Sequence, residues 1–475
     1  MESSRIIIKL QLGIYFIIFM STILYGLTLG VGTDLKFGNS IFGLYNGFGG
    51  AVQIAAEFSV THENPQVSLN ISLLARNDRY FRDPFTDSYY GGFYFDFGNS
   101  CLTLRMSPFS ISVGKGYLGD LVESSYPLFA SSTHLPRNFF ELKYEDERFL
   151  YISRWLELTN LRDEHKPSEE RFRGANFKSY VLKAGAFRFG YEEANIYVGK
   201  NFDFEFFANP VPGFFIQYVK DAGRPYPEGI GECNFIMGFC ADFKTSDFYL
   251  YSQILIDDIN MNRFLKPSEF QNPDKIAWSF GASFNTEVGR LAIHHAGATK
   301  YTFQPSGESG NNRFYGYTIY NDFQYKQQDG KDMILPLEFL YVGYKYGENN
   351  LAFNVEYVPK DLFGVRQAKF NFEYVVLGER SPINAWGELS TPPAGTHLLD
   401  DPVLEHRLNL EIYVPWKVLD WLELKLSGQF GYVWNRSVLV NVESDNVKRP
   451  LLRPQLGNNT ALVSFSLSTN VKLNW

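Results

Sequence analysis

The chain has 475 residues, more than most single soluble cores hold and a reasonable length for one large barrel. A net charge of −8 with a pI near 5.5 argues against a nucleic-acid partner, which calls for a basic stripe. Aromatic residues make up 17% of the chain and the mean hydropathy is −0.19, so the composition excludes a bundle of membrane helices and fits strands that carry apolar residues in alternation.

The chain opens MESSRIIIKLQLGIYFIIFMSTILYGLTLG. Arg5 and Lys9 make a basic start, an apolar run follows from Leu10 to Leu27, and Thr28 and Gly30 are small residues at a spacing a signal peptidase accepts. The reading is a signal peptide over residues 1–30 and a single domain over 31–475; an uncleaved helical anchor is the alternative, because the apolar run is long. Beyond it no window approaches the ~20 apolar residues a membrane helix needs.

Alternating segments follow in chain order. VSLNISLLAR puts Val67, Leu69, Ile71 and Leu73 on one face. FYFDF groups Phe93, Phe95 and Phe97, and FDFEFF groups Phe202, Phe204 and Phe206. IAWSFGASF sets Trp278, Phe280, Ala282 and Phe284 together; LAFNVEYV does so with Leu351, Phe353, Val355 and Tyr357, and KFNFEYV with Phe370, Phe372 and Tyr374. The best run is WLELKLSGQFGYVW: Leu422, Leu424, Leu426, Phe430, Tyr432 and Trp434 share a face, and Glu423, Lys425, Ser427 and Gln429 take the other. Each segment alone is a weak signal, but many of them with few helical patterns is a strong one.

The final segment, VSFSLSTNVKLNW, alternates strictly and stops in mid-strand on Trp475. In a soluble sheet that is a sticky edge. In a closed membrane barrel it is the strand that pairs with the first, one face to lipid and one to the lumen. The fold class is therefore all-β: a transmembrane antiparallel outer-membrane β-barrel of about 18 strands, an even number as single-chain barrels require. A soluble propeller would need repeats of ~40–50 residues, and none recurs. With the chain end in the periplasm, residues 436–459 and 379–404 are extracellular while 415–420 and 359–366 are periplasmic. GENN at 347–350 is then an unusually short outside turn. Outer-membrane lipid is the expected partner, and the resemblance to outer-membrane barrels as a class implies a second, the barrel assembly machinery, reading the last aromatic strand.

Four stretches share a layout. ISVGKGYLGDLVESSYPLFASSTHLP is a Gly-rich strand end before a Ser/Pro loop, and YVKDAGRPYPEG is a Gly-Arg-Pro loop. FYLYSQILIDDINMNRF is a Leu-Tyr-x-Gln strand followed by an Asp-Asp pair, and YGYTIYNDFQYKQQDGKDMILPLEFLYVGYKYGENNLAFNVEYVPKDLFG follows as later strands. In this order, over residues 110–430, the chain resembles the capsule assembly Wzi-like family. The resemblance implies an 18-stranded barrel in the outer membrane of a diderm bacterium, occluded by loops, that tethers capsular polysaccharide and catalyses nothing. One feature departs from it: those proteins carry a helical segment before the barrel, whereas SIFGLYNGFGGAVQIAAEFSV here reads as strand.

The candidate ligand-binding residues are Arg224, Asp257 and Asp258. Adjacent carboxylates at a strand end can hydrogen-bond sugar hydroxyls or hold a hard cation, or they are turn-forming residues with a structural bond to Arg224. They converge only if the strand has already ended. Arg224 either pairs inward with a carboxylate, fixing a loop in the lumen, or is an exposed loop residue. His294 and His295, adjacent in a strand, face the lumen and the lipid in turn and have no further metal ligand nearby in sequence. Cys101 and Cys240 lie in strand-like runs and Cys233 in a loop; a Cys233–Cys240 bridge is open on sequence alone. No nucleophile elbow, phosphate loop or zinc pair is present, so neither enzyme, metal nor cofactor is expected. Two functions remain: binding or anchoring of surface polysaccharide, and a porin-like channel for small polar solutes or oligosaccharides. What fills the lumen separates them.

Overall fold

The computed structural model describes residues 27–475 apart from 39–52, 77–92, 134, 162–163, 222–232, 260–271, 305–311, 321–323, 327–331, 363, 366, 382–393, 445–446 and 475. One antiparallel sheet closes on itself. Its strands are β1 Leu27–Gly38, β2 Gln53–Glu63, β3 Val67–Arg76, β4 Tyr94–Phe97 with Ser100–Met106, β5 Phe109–Gly116, β6 Arg137–Glu145, β7 Phe149–Asn160, β8 Phe172–Ala184 and β9 Phe187–Val198. They continue as β10 Asn234–Lys244, β11 Phe248–Asp258, β12 Lys275–Asn285, β13 Gly289–Ala298, β14 Asn350–Pro359, β15 Lys369–Leu377, β16 Glu405–Leu419, β17 Leu422–Trp434 and β18 Thr460–Asn474. The two pieces of β4 are one strand broken at Gly98 and Asn99, because both pair with β3, Leu73 facing Phe97 and Asn70 facing Cys101. The expected count of 18 and the antiparallel pairing both hold.

The last strand does what its alternation implies. β18 pairs with β17 on one side and with β1 on the other, Gly30 opposite Lys472 and Phe37 opposite Phe465, so the sheet has no edge there. Val463, Phe465 and Leu467 are exposed outward and Ser464 is buried inward. The same rule runs round the wall: Phe58, Ile71, Phe95, Phe189, Phe239, Phe280, Phe353, Phe372, Leu426 and Phe430 form an exposed apolar belt. Strand β1 begins at Leu27, inside the stretch assigned to the leader, and residues 39–52 lie between it and β2 in the chain.

Turns at one end are short, at 64–66, 107–108, 146–148, 185–186, 245–247, 286–288 and 420–421. Connections at the other end are long, notably 117–136, 199–233, 299–349, 378–404 and 435–459. By the barrel rule the short end is periplasmic and the long end extracellular. Strand β16 runs to Leu419, so most of the 415–420 stretch expected as a turn is strand.

Two expected strands are not strands. Phe202, Phe204 and Phe206 do not alternate across a sheet: Asp203 accepts the backbone N–H groups of Glu205 and Phe206 and starts helix α1, Phe204–Ala208. With helix α2, Gly213–Asp221, it lies against the outside of the wall, where Phe207 stacks on Phe140 at 5.0 Å and Phe214 meets Phe235 at 6.0 Å. The apolar run before Gly347 is also no strand. Leu335, Leu337, Leu340, Tyr341, Val342, Tyr344 and Tyr346 belong to the 299–349 connection and are buried inside the barrel. That removes the puzzle of a very short outside turn at 347–350.

The 117–136 connection turns inward too. Leu118, Tyr126, Leu128, Phe129 and Ala130 join the 299–349 residues in one apolar cluster. The wall residues of that cluster sit at the extracellular ends of the strands, and many are small: Ala175, Ala194, Ala277, Ala296, Ala298 and Ala352. A short side chain on the wall leaves room for a Tyr or Leu from a loop, which is how a lumen takes on the packing of a core.

Candidate functional site

The inward loop 117–131 is held by a chain of polar bonds round the inner wall. Asp120 accepts from Gln253 on β11 at 2.9 Å and from the Phe129 backbone at 3.0 Å, so it ties the loop to itself and to the wall. Gln253 also accepts from the Leu128 backbone at 3.0 Å and donates to Glu192 on β9 at 2.8 Å. Further along, the Glu123 N–H donates to Tyr249 at 2.9 Å, Ser124 meets Tyr251 at 2.5 Å, and Tyr126 donates to Glu373 on β15 at 2.9 Å. Buried polar groups without such partners would destabilise the site by about 1–3 kcal/mol each.

Beneath this loop, towards the periplasm, is a polar cleft of about 430 Å³. One side is hydroxyl-rich, from Ser124, Ser125, Ser131, Ser132 and Thr133. The other is charged, from Arg290, Lys345, Glu356 and Lys369. Glu356 is shared between Lys369 and Arg290, the latter at 3.9 Å, and Lys345 pairs with Glu373 at 2.8 Å. His294 faces this cleft and hydrogen-bonds Tyr251 at 3.0 Å, while His295 points outward to Trp278 at 3.3 Å and to the Phe280 ring. The alternation expected of the two histidines is therefore observed. Mixed charge beside hydroxyls suits a small polar solute, through hydrogen bonds to hydroxyls or carboxylates.

The extracellular rim holds the residues that sequence singled out. The Asp257 side chain is fully buried: it pairs with Lys275 at 3.1 Å and accepts the Phe303 backbone N–H at 2.8 Å, which anchors the start of the 299–349 connection to the wall. Asp258 instead accepts from Asn272 at 2.9 Å. A register shift between Ile256 and Asp258 marks the strand end, but the two carboxylates keep separate partners and do not converge. Arg224 lies outside the described residues.

Around Asp257 is a second anchor that the sequence did not single out. Glu348 accepts from Gln304 at 2.7 Å and from the backbones of Tyr301 and Ser381, both at 2.6 Å. Burial pushes its pKa up to about 7 from 4.5. Close by, Lys300 bonds Asp401 at 2.7 Å; burial works against its charge, yet Asp401 holds its pKa above the ordinary lysine value. His397 bonds Asp400 at 2.6 Å and meets the Tyr301 ring edge-on at 6.1 Å, leaving an aromatic and acidic patch on the rim. Burial raises the Tyr301 hydroxyl to about 12, so it is a donor at neutral pH.

Among the described residues no group of three or more His, Cys, Asp or Glu is placed to hold a metal ion. None of the three cysteines is in a disulfide: Cys240 is buried, and Cys233 packs on the outer-wall cluster of Tyr197, Phe206 and Ile216.

Closed pairing, an apolar outer belt and one end of short turns leave one setting for such a chain. It is an outer-membrane β-barrel, of the kind found in diderm bacteria. No family model and no curated protein sequence matches it. Among solved structures it is similar to Wzi of Escherichia coli, described as an outer-membrane protein involved in group 1 capsule assembly and a carbohydrate-binding β-barrel. The TM-score is 0.52 at 9% identity, covering 95% of this chain and 85% of that one. It is also similar to OprD of Pseudomonas aeruginosa, with TM-score 0.43, 12% identity, and coverage of 94% and 95%. OccAB2 of Acinetobacter baumannii gives 0.45 at 10% identity, covering 95% and 98%. At these identities the likeness is one of fold.

Proposed function

We propose that this barrel binds or anchors a surface polysaccharide on its extracellular face and does not conduct. The observation that carries the reading is the apolar core in the extracellular half of the lumen, built by 117–131 and 299–349 against alanine-lined strands. A channel needs a polar path at that level, and on this reading the packed Leu, Phe and Tyr keep water from it. The resemblance to the capsule assembly Wzi-like family, with its loop-occluded lumen, points the same way, as does the carbohydrate binding described for Wzi.

On this reading the saccharide lies on the rim, where Tyr301 and His397 offer ring faces and Asp400 and Asp258 offer acceptors for hydroxyls. Asp257 holds the rim rather than the ligand, and Arg224 is proposed as a further contact. The leader is proposed to end before Leu27, because Leu27–Gly30 belong to β1, and β18 is proposed as the strand read by the assembly machinery. The test is equilibrium binding of extracted surface polysaccharide to the detergent-solubilised protein, with Tyr301→Ala and Asp258→Ala. Binding weakened about tenfold by either change is expected; absent binding, or binding indifferent to both changes, overturns the rim assignment.

A second reading, a channel for small polar solutes, is favoured by the charged cleft on the periplasmic side. It requires the inward loops to part.

A further inference from the structure

We propose that residues 199–221 are not an extracellular loop but a strap seated in the outer leaflet, whose aromatic face binds lipid acyl chains. The connection leaves β9 and returns down the outside of β6 to β10 instead of standing in water. Outward polar side chains of the wall take up its irregular backbone one carbonyl at a time. Trp155 donates to the Asn201 carbonyl at 2.5 Å and Ser153 to that of Phe207 at 2.7 Å. Tyr180 donates to the Pro210 carbonyl at 2.8 Å and Lys178 to that of Val211 at 2.7 Å. Glu193 accepts the Gly213 N–H at 2.7 Å. Non-helical backbone at membrane depth is tolerated only where protein satisfies it, and that is the arrangement here.

The wall beneath carries its own evidence. Lys178 and Glu193 project to the lipid side, lie 3.8 Å apart, and are both 0% exposed. Lys178 stands about seven residues above the turn at 185–186, which is about 23 Å along the strand and about 18 Å up at a tilt of ~40°. That is within the ~25 Å apolar band. A charge pair on the lipid face of a barrel is disfavoured unless something covers it. Gly213 lets the cover sit flush: a Cβ there would come within 2.3 Å of the Asn195 side chain.

The strap's outer face fits lipid. Ile216 and Phe206 turn to the wall, whereas Phe204 is 72%, Phe215 55% and Tyr218 54% exposed, with Phe214 and Val211 beside them. This patch continues the apolar belt formed by neighbouring Phe189 and Phe239. Continuity with the belt and the depth of Lys178 identify the occupant as acyl chains rather than a second copy of the chain.

The test is nitroxide labelling at Phe215→Cys and Tyr218→Cys, in a chain with Cys101, Cys233 and Cys240 replaced by Ala, reconstituted in lipid vesicles. Accessibility to oxygen, which partitions into lipid, is compared with accessibility to a water-soluble nickel chelate. Phe239→Cys marks the lipid-facing wall and Gly457→Cys an outside loop. The expected result is a high oxygen and low nickel response, as at position 239. A response like position 457 overturns the proposal, because the strap would then stand in water. Low response to both also overturns it, because protein would then cover the face. Lys178→Met, which removes the donor to Val211, is expected to move the Phe215→Cys label towards the nickel response; no movement counts against the seam as what holds the strap.

Discussion

Gly343 sits where the two inward loops touch, and adding one carbon there should loosen the contents of the lumen without harming the wall. A Cβ on Gly343 would lie 1.9 Å from the Leu128 carbonyl oxygen and 2.6 Å from its carbon. Ordinary contact begins near 3.4 Å, so the loops must part by about 1.5 Å. Both obstructing atoms are backbone and cannot rotate away. The bond from Ser131 N–H to the Val342 carbonyl, at 3.0 Å, and that from Tyr317 to the Phe129 carbonyl, at 2.5 Å, span the same contact and would stretch beyond use. Overpacking of this kind costs about 1–3 kcal/mol, which corresponds to about 5- to 150-fold faster opening. Hydrogen–deuterium exchange reads this directly: in Gly343→Ala, peptides over 118–131 and 337–346 exchange faster by that factor while β1 and β18 keep their protection. Gly119→Ala is the control, since a Cβ at that position of the same loop meets nothing within 4 Å. Unchanged exchange in Gly343→Ala would refute the inference that the loops pack as one core.

Three further outcomes are expected. Glu348 has a pKa near 7 in the fold against 4.5 ordinarily, so the folded state holds the proton more tightly. Its contribution, about 3 kcal/mol, is complete below pH ~4.5, falls between there and 7, and is gone above; exchange at residues 299–304, corrected for intrinsic rate, should be faster at pH 8 than at pH 5, and Glu348→Gln should flatten that dependence. Deleting residues from Ser464 onward removes most of a strand that pairs on both sides, so surface levels and the heat-modifiable folded band should vanish; normal levels would contradict the closing role of β18. Thiol titration of unreduced, unfolded protein should count three free cysteines, and a count of one would restore the Cys233–Cys240 bridge.

The wall was legible in the sequence because period-two alternation is forced on every strand that meets lipid on one side. VSLNISLLAR and WLELKLSGQFGYVW read as strands and are β3 and β17. The contents of the lumen were not legible. LEFLYVGYKY has the composition of a strand but opens as a short helix, Leu337–Leu340, and packs in a core, because inside a closed barrel apolar residues have a second place to go. FDFEFF alternates like a strand, yet Asp203 caps a helix and local hydrogen bonding outweighs the pattern. Of the site, the Asp-Asp pair was found but not its division of labour. A carboxylate's partners, Lys275 for Asp257 and Asn272 for Asp258, come from segments whose approach only the fold decides. Glu348 carried no sequence signal, since a lone Glu before Asn-Asn reads as a solvated turn.

Single-channel recording in a planar bilayer, on protein shown to be folded by its heat-modifiable band, tests most directly whether the lumen is closed. On the proposed function, the apolar core that 117–131 and 299–349 build against β6 to β15 predicts silence at both polarities from the unaltered chain. A steady open-channel current from that same folded protein would contradict it, and would move the function to the porin-like reading.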